Sequence, residues 1–246
     1  MAWPEGVARV ILPSIDSTSL EAVRQMPQVP TWFLGLQQTA AKGRRGRAWS
    51  MPAGNFAASL IWRPAGNPGD LALRSFVASL ALHDVLSGMG VQGLSLKWPN
   101  DVLLNGGKLA GILLESPAPG FLVLGMGINL IAAPAPAQVE AGALAPVSLL
   151  EASGLRVTPD AMLEALAAAF ATREAQLATW GFPPIRTAWM QHAARVGQPV
   201  TARMVTETVE GIFEDVDDDG HLVLRTATGQ RRITAADVFF GGAPCS

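Results

Sequence analysis

Apolar and polar positions change period along the chain, and the changes predict where helices and strands lie. Two apolar runs, "TWFLGLQQT" and "NFAASLIWRP", predict strands on either side of a basic segment. Apolar positions recur every three or four residues over residues 70–88, 159–179 and 182–194, which predicts three helices. His83 lies within the first of these helices and is expected on its surface rather than as a metal ligand.

A further helix is predicted to begin in "DSTSLEAVRQM". Thr18 and Glu21 have the spacing of a capping box, and Leu20 and Val23 fall on one helical face. Capping therefore gives Ser17 and Thr18 a purely structural explanation, which stands beside any role in binding.

A tight β-hairpin is predicted where two apolar runs flank Asn105-Gly106-Gly107. A two-residue loop would place these side chains on one face of the hairpin: Asp101, Leu103, Lys108, Ala110 and Ile112. Lys108 then either marks the end of a sheet or presents a fixed cation to a ligand. Asp101 is similarly ambiguous, because Pro-Asn-Asp is ordinary turn chemistry.

The second half of the chain contains a strand, a connector and a change of character. "FLVLGMGINL" predicts a buried strand that ends near Asn129, and the Pro/Ala-rich "IAAPAPAQVEAGALAP" predicts an exposed loop. Four short alternating runs follow the helices: "PVTARMV", "TVEGIFEDV", "HLVLRT" and "RRITAADVFF". They predict a small all-β module, and Trp98 is expected in the main core.

Composition narrows the class of protein. The 246 residues are 49% hydrophobic, enough for one large domain with a small companion. With a formal net charge of -2, the protein lacks the positive electrostatic field that is typical of proteins binding duplex nucleic acid or membrane surfaces. The single cysteine, Cys245, excludes an internal disulfide and a cysteine-based zinc cluster. With neither a secretory start nor about 18 consecutive apolar residues, the expected location is the cytoplasm.

The segment "AAKGRRGRAW" concentrates positive charge in this slightly acidic chain. It is compatible with a solvated surface loop, or with binding of nucleic acid, a phosphate-bearing cofactor or an anionic small molecule. It has no Walker pattern, and Trp49 is the only aromatic residue in it, which disfavours a single-strand binding surface. Its cations repel each other and bury little apolar surface, so the loop is expected to be mobile until an anion binds.

Taken in order, the motifs "STS", "QTAAKGRRGRAW", "KWPNDVLLNGGKLAGILLE" and "GMGINL" resemble those of bacterial biotin-protein ligases. The specific motifs cover about residues 10–130, and the family's amino-terminal DNA-binding domain has no counterpart. The resemblance implies an α+β fold with a mixed sheet flanked by helices, of the class II synthetase-like kind. It also implies a catalytic domain at residues 1–195 and a small SH3-like β-barrel at residues 196–246.

The activity implied by this resemblance has two steps. Biotin and ATP, with Mg²⁺, form biotinyl-5'-AMP, and biotin then passes to one lysine of a biotin carboxyl carrier domain of a carboxylase. DNA and membranes are not expected partners. Exposed sheet edges in this fold often pair, so the protein is expected to be either a monomer or a homodimer.

The resemblance also assigns roles to residues. The biotin-binding positions are Ser17, Thr18, Ser19, Gln38, Lys42, Gly43, Arg44, Lys108 and Gly111. The ATP-binding positions are Arg44, Arg45, Arg47, Trp49, Lys97, Asn100 and Asn129. The catalytic positions are Lys108, Arg44 and Asp101, of which Asp101 is expected to orient, and to deprotonate, the incoming lysine. Asn129 is placed near the phosphates or the metal, and the metal ligands are not assigned.

This chain departs from the family pattern at three positions. Ala41 and Lys42 replace the usual Gly-Arg, and Ser19 stands where Asn is frequent. Lys42 keeps the charge but lacks the bidentate guanidinium. Two alternatives to a biotin ligase stay open: a lipoate or octanoate ligase of the same fold, and a non-catalytic biotin or adenylate sensor.

Overall fold

The computed structural model describes residues 2–47, 49–135, 139 and 143–240, and Cys245 lies outside them. The larger of its two sheets has seven strands: β1 (Ala8–Leu12), β2 (Thr31–Gly35), β3 (Phe56–Trp62), β4 (Leu94–Lys97), β5 (Asp101–Leu104), β6 (Gly107–Glu115) and β7 (Leu122–Ile128). They follow the order β1-β2-β3-β7-β6-β5-β4. Strands β1 and β2 are parallel and the other neighbours antiparallel, so the sheet is mixed, as expected.

Helices cover both faces of this sheet. They are α1 (Thr18–Gln25), α2 (Arg74–Gly88), α3 (Leu149–Ser153), α4 (Pro159–Trp180) and α5 (Phe182–His192). Trp32 and Leu34 of β2 join the core formed with α2, α4 and α5, whereas Phe33 packs with Ala22 of α1 on the opposite face. Strand β2 is therefore buried along its whole length.

The predicted hairpin is present, with a two-residue loop in which Asn105 and Gly106 both have positive φ, 50° and 80°. The prediction that five side chains share one face of the hairpin is right for Leu103 and Lys108, which are paired. It is wrong for Ala110 and Ile112. A β-bulge shifts the register after Val102, so that Ala110 pairs with Val102 and Gly111 pairs with Asp101. Ala110 and Ile112 instead belong to the main core.

The register across the sheet creates a row of small side chains beside charged ones. Lys97 pairs with Asp101, Asp101 with Gly111, and Gly111 with Gly127. In the neighbouring row, Gly125 pairs with Ser59 of β3. Because glycine has no side chain, this part of the sheet face that α1 covers is left open for a ligand.

Two predictions about helix residues are wrong. The cap of α1 is Ser17, whose hydroxyl accepts a hydrogen bond from the Leu20 amide at 3.5 Å, while Thr18 is the first helical residue and turns toward the sheet. His83 is buried rather than exposed, because its ring stacks on His192 of α5 with centroids 3.8 Å apart.

The carboxyl-terminal part forms a five-stranded antiparallel sheet in the order β11-β10-β9-β8-β12. Its strands are β8 (Pro199–Arg203), β9 (Thr208–Val216), β10 (Leu222–Thr226), β11 (Gly229–Ile233) and β12 (Asp237–Phe240). The single strand predicted for "RRITAADVFF" is wrong, since the segment divides into β11 and β12. Closure into a barrel stays a prediction.

The two sheets are joined by buried contacts. Trp98 lies in the core as predicted, and its indole Nε1 donates a hydrogen bond of 2.9 Å to the Gly220 carbonyl, in the turn between β9 and β10 of the carboxyl-terminal sheet. By length and composition the segment Gly69–Gly88 could cross a membrane, but it contains the core helix α2, and 72% of its apolar window is buried inside the protein.

The Pro/Ala-rich connector is only partly described. Its described residues, 131–135, 139 and 143–146, include no helix or named strand, in line with the prediction. Its described end is exposed or half-buried, and it is fixed there by a hydrogen bond of 2.8 Å from the Lys108 amide to the Ala145 carbonyl, while Pro146 borders a cavity.

Candidate active site

A cavity of about 610 Å³ opens over the row of glycines on the sheet face that α1 covers. Its floor comes from β3, β5, β6 and β7, one wall comes from the start of α1, and the rim comes from the basic segment and β12. A space of this size accommodates a ligand of the size of a cofactor.

One end of the cavity presents neutral hydrogen-bonding groups. The Gln38 side-chain carbonyl accepts hydrogen bonds from the amide and hydroxyl of Thr18, at 2.7 and 3.0 Å. The Ser59 hydroxyl lies 2.8 Å from that of Thr18 and 2.9 Å from that of Ser19. Linked hydroxyls and an amide can both donate to and accept from a small uncharged polar group.

The other end of the cavity is charged. The Lys108 ammonium lies 2.6 Å from the Asp101 carboxylate, and the Lys97 ammonium lies 3.6 Å from it. Burial alone would raise the pKa of Asp101, but the positive charges of Lys108 and Lys97 outweigh it and hold the pKa below the usual range. Burial lowers the pKa of Lys97, an effect that Asp101 opposes.

This arrangement limits what Asp101 can do chemically. A carboxylate whose pKa is lowered binds a proton weakly, so it is a poor general base near neutral pH. It is well suited to holding the Lys108 ammonium in place above the glycine row. Lys108 also lies 5.7 Å from the centre of the Trp49 ring, which gives it a second fixed neighbour.

The basic segment is held by a carboxylate from the other sheet. Asp237, the first residue of β12, pairs with Arg45 at 2.8 Å, with Arg44 at 3.6 Å and with Arg47. The Arg44 guanidinium also donates to the Ala236 carbonyl at 3.2 Å. The sequence analysis did not foresee this anion, which comes from outside the segment, and mobility of the segment before a ligand binds stays a prediction.

The backbone of this segment is ordered by local hydrogen bonds. Arg44–Gly46 forms a 3₁₀ turn, and the Gly43 amide donates to the Arg47 carbonyl at 2.7 Å. Arg45 has a φ of 57°, in the left-handed region, and this conformation costs a residue with a side chain about 1 to 2 kcal/mol. Its ion pair with Asp237 offsets part of this cost.

Trp49 lies directly over the glycine row. A Cβ atom on Gly127 would come within 2.5 Å of the Trp49 ring, and one on Gly111 within 3.2 Å. The two glycines are therefore required by the close approach of the indole. Asn129 stands beside them, and its amide donates to the Val147 carbonyl at 3.2 Å.

The structure brings all but one of the predicted site residues to the cavity. These border it: Ser17, Thr18, Ser19, Gln38, Lys42, Gly43, Arg44, Arg47, Trp49, Lys97, Asn100, Asp101, Lys108, Gly111 and Asn129. Arg45 does not border it and instead contacts Asp237 from outside.

Sequence reasoning missed three polar residues of the cavity, Ser50, Ser59 and Asp237. Ser59 could have been noticed as the one hydroxyl in the apolar run "FAASLIW" of β3. Asp237 had no local signal, because its partners lie at the other end of the chain.

Two family models match this chain. Residues 11–129 match the biotin/lipoate A/B protein ligase family, and residues 196–241 match the biotin protein ligase C terminal domain. Among solved structures, the biotin protein ligase from Aquifex aeolicus in complex with biotin and ATP has the same fold, with a TM-score of 0.84 and 21% identity. That alignment covers 94% of this chain and 97% of the other.

Curated relatives extend the similarity over nearly the whole chain. The bifunctional ligase/repressor BirA of Bacillus subtilis is 32% identical, with 94% of this chain and 72% of that protein covered. The biotin acetyl-CoA-carboxylase ligase of Paracoccus denitrificans is 50% identical, with 94% of this chain and 100% of that protein covered. On this similarity the chain belongs to the biotin protein ligase family.

Proposed function

We propose that this chain is an ATP-dependent biotin-protein ligase, which forms biotinyl-5'-AMP and then transfers biotin to a specific lysine of a carboxylase's biotin carboxyl carrier domain. One structural observation supports this function in addition to the family membership. A single cavity joins a neutral end of hydroxyl and amide groups to a cationic end across a floor of glycines. Biotin has the matching polarity, with an uncharged ureido ring at one end and a carboxylate at the other.

In the first step the biotin carboxylate attacks the α-phosphorus of ATP. A carboxylate oxygen forms the new bond to phosphorus, and the bond to the bridging oxygen breaks as pyrophosphate leaves. Two like charges about 4 Å apart repel by roughly 4 kcal/mol at an effective dielectric near 20. Lys108 and Arg44 would offset this repulsion between carboxylate and phosphate. Ser17, Thr18, Ser19 and Gln38 would hold the ureido ring, with Lys42, Gly43 and Gly111 along the chain of the ligand.

In the second step the amine of the acceptor lysine attacks the acyl carbon, and AMP leaves with the oxygen that links it to biotin. The amine must be neutral to attack, and its proton is lost to solvent or to a group on the ligand. Asp101 would orient Lys108, and through it the acyl group, rather than take this proton, because its pKa is lowered.

The nucleotide would lie at the cationic end, against Trp49, with Arg47, Lys97 and Asn100 around its phosphates. Arg45, which lies outside the cavity, would act on ATP through its charge without lining the site. Mg²⁺ fits one feature of this end. The side-chain oxygen of Asn129 is buried and has no hydrogen-bond partner among the residues that the structure describes. Amide oxygens suit Mg²⁺, which would be shared with the phosphates and would neutralise part of their charge.

The proposal extends to location, partners and domains. A cytoplasmic protein that binds a carrier domain, and neither DNA nor a membrane, is consistent with the net charge of -2. We divide the chain into a catalytic domain at residues 1–195 and a β domain at residues 196–246. A homodimer through an edge strand, β1 or β4, stays a prediction.

The test is a reconstituted reaction with a purified carrier domain. With biotin, ATP and Mg²⁺, we expect the carrier to gain the mass of one biotinyl group at one lysine. A lipoate or octanoate ligase would instead label its carrier with that acid and not with biotin. A non-catalytic sensor would bind biotin and leave every carrier unmodified, and either outcome would refute the proposal.

A further inference from the structure

Three arginines of one short segment converge on a single carboxylate of the carboxyl-terminal sheet. Arg44, Arg45 and Arg47 all pair with Asp237, whose side chain is only 13% exposed. Burial would raise the pKa of Asp237, but the hydrogen bond from Arg47 and the charges of the three arginines lower it. The carboxylate is therefore ionised and committed to this segment at neutral pH.

The position of Asp237 links it to the ligand. Its side chain, Arg44 and Arg47 all border the cavity, and the same arginine segment carries the cations assigned to ATP. Arg44 is fixed further by the Ala236 carbonyl at 3.2 Å and by the Asn100 side-chain oxygen at 3.4 Å. Two neighbouring residues of the carboxyl-terminal part thus hold a cation that faces the reaction centre.

The charges of ATP and of the acyl-adenylate explain why the arginine segment needs a carboxylate of the protein. ATP brings several negative charges to the arginine segment, but pyrophosphate carries most of them away. The remaining acyl-adenylate has a single negative charge on its phosphate, which is too little to neutralise three guanidinium groups. An anion of the protein itself is needed to keep the other arginines engaged.

We propose that Asp237 is a positioning residue that keeps the arginine segment ordered over the cavity, before ATP binds and again after pyrophosphate leaves, so that the adenylate is retained until the acceptor arrives. The part concerning the adenylate rests on the proposed function. The part concerning order does not, because it refers to the protein without ligand.

The first test measures order in the absence of ligand by amide hydrogen exchange. The amides of Gly43, Arg47 and Trp49 each donate a backbone hydrogen bond within the segment, so they report on it directly. In Asp237→Asn these amides are expected to exchange about tenfold faster, the scale of losing a charge-assisted hydrogen bond. Asp237→Glu, which keeps the charge, is expected to restore most of the protection.

A matched control removes a different carboxylate from the same sheet. Glu214 pairs with Arg225 at 2.7 Å on the exposed surface, away from the cavity. Glu214→Gln changes the net charge by the same amount, and it is expected to leave exchange in the arginine segment unchanged. Unchanged exchange in Asp237→Asn as well would overturn the proposal.

The second test follows the adenylate in a single turnover with biotin, ATP and Mg²⁺. Asp237→Asn is expected to form adenylate but to release it about tenfold faster than the parent, whereas Asp237→Glu and Glu214→Gln release it at nearly the parent rate. Equal release from parent and Asp237→Asn would overturn the retention role. Absence of adenylate in the parent itself would instead refute the proposed function, and the exchange result would still decide whether Asp237 orders the segment.

Discussion

At the scale of single residues, the Lys108–Asp101 ion pair makes each partner dependent on the other. Lys108→Ala removes the cation nearest to Asp101 and leaves that buried carboxylate with Lys97 at 3.6 Å and the more distant charge of Arg44. We expect adenylate formation, measured by pyrophosphate exchange, to fall by at least about 10²-fold, the scale of losing one oriented electrostatic contact. The thermal midpoint should also fall, because Asp101 is buried and loses its nearest cation, so the two exchange rates are compared at a temperature where both proteins are folded. An exchange rate within about threefold of the parent would remove Lys108 from the mechanism.

Asp101→Asn tests the other half of the pair. The substitution keeps the shape but removes the charge that holds Lys108, so we expect both half-reactions to slow, with transfer affected no more than adenylate formation. The measurement compares pyrophosphate exchange with transfer from preformed adenylate. If adenylate formed at the parent rate while transfer alone slowed, Asp101 would serve the acceptor lysine, as the resemblance first implied.

At the scale of secondary-structure elements, two glycines of strand β7 lie under different parts of the cavity, one on the side proposed for biotin and one on the side proposed for ATP. A Cβ on Gly127 would lie 2.5 Å from the Trp49 ring, whereas one on Gly125 would lie 3.0 Å from the Ser19 hydroxyl. We therefore expect Gly127→Ala to raise the KM for ATP, and Gly125→Ala the KM for biotin, each by at least about tenfold. Each variant controls for the other, because both place alanine in the same strand. Equal effects on both substrates would contradict this division.

The elements also separate what local sequence can predict from what it cannot. The Asn105-Gly106 loop was predictable because its positive φ values favour these residues. The bulge after Val102 was not predictable, because the pairing of β6 with β7 competes with the hairpin for register. Lys108 and Asp101 still meet across the bulge, so the central site prediction survived an error in the strand pairing.

At the scale of the whole molecule, the arginine segment depends on a residue far away in sequence. Asp237 is one of 20 acidic residues, and no neighbouring pattern distinguishes it. Ser17, Gln38 and Lys108 could be named from their motifs, because each motif is continuous in sequence. The contribution of β12 to the rim arises only when the two sheets pack, which is a tertiary contact that residue spacing does not encode.

Stability of the whole molecule should depend on pH through the stacked pair of His83 and His192. Burial lowers the pKa of His83 to about 4; the electrostatic interactions with His192 and Arg173 add to this effect and Asp84 opposes it. The unfolded chain, with an ordinary pKa near 6.5, binds more protons between about pH 6.5 and 4, so stability is full above this window and falls as the pH decreases through it. The free energy of unfolding should drop by up to roughly 3 kcal/mol across the window. Denaturant titrations at pH 7.5 and 4.5 should show a smaller drop in His83→Gln, and an equal drop in both proteins would exclude His83 as its source.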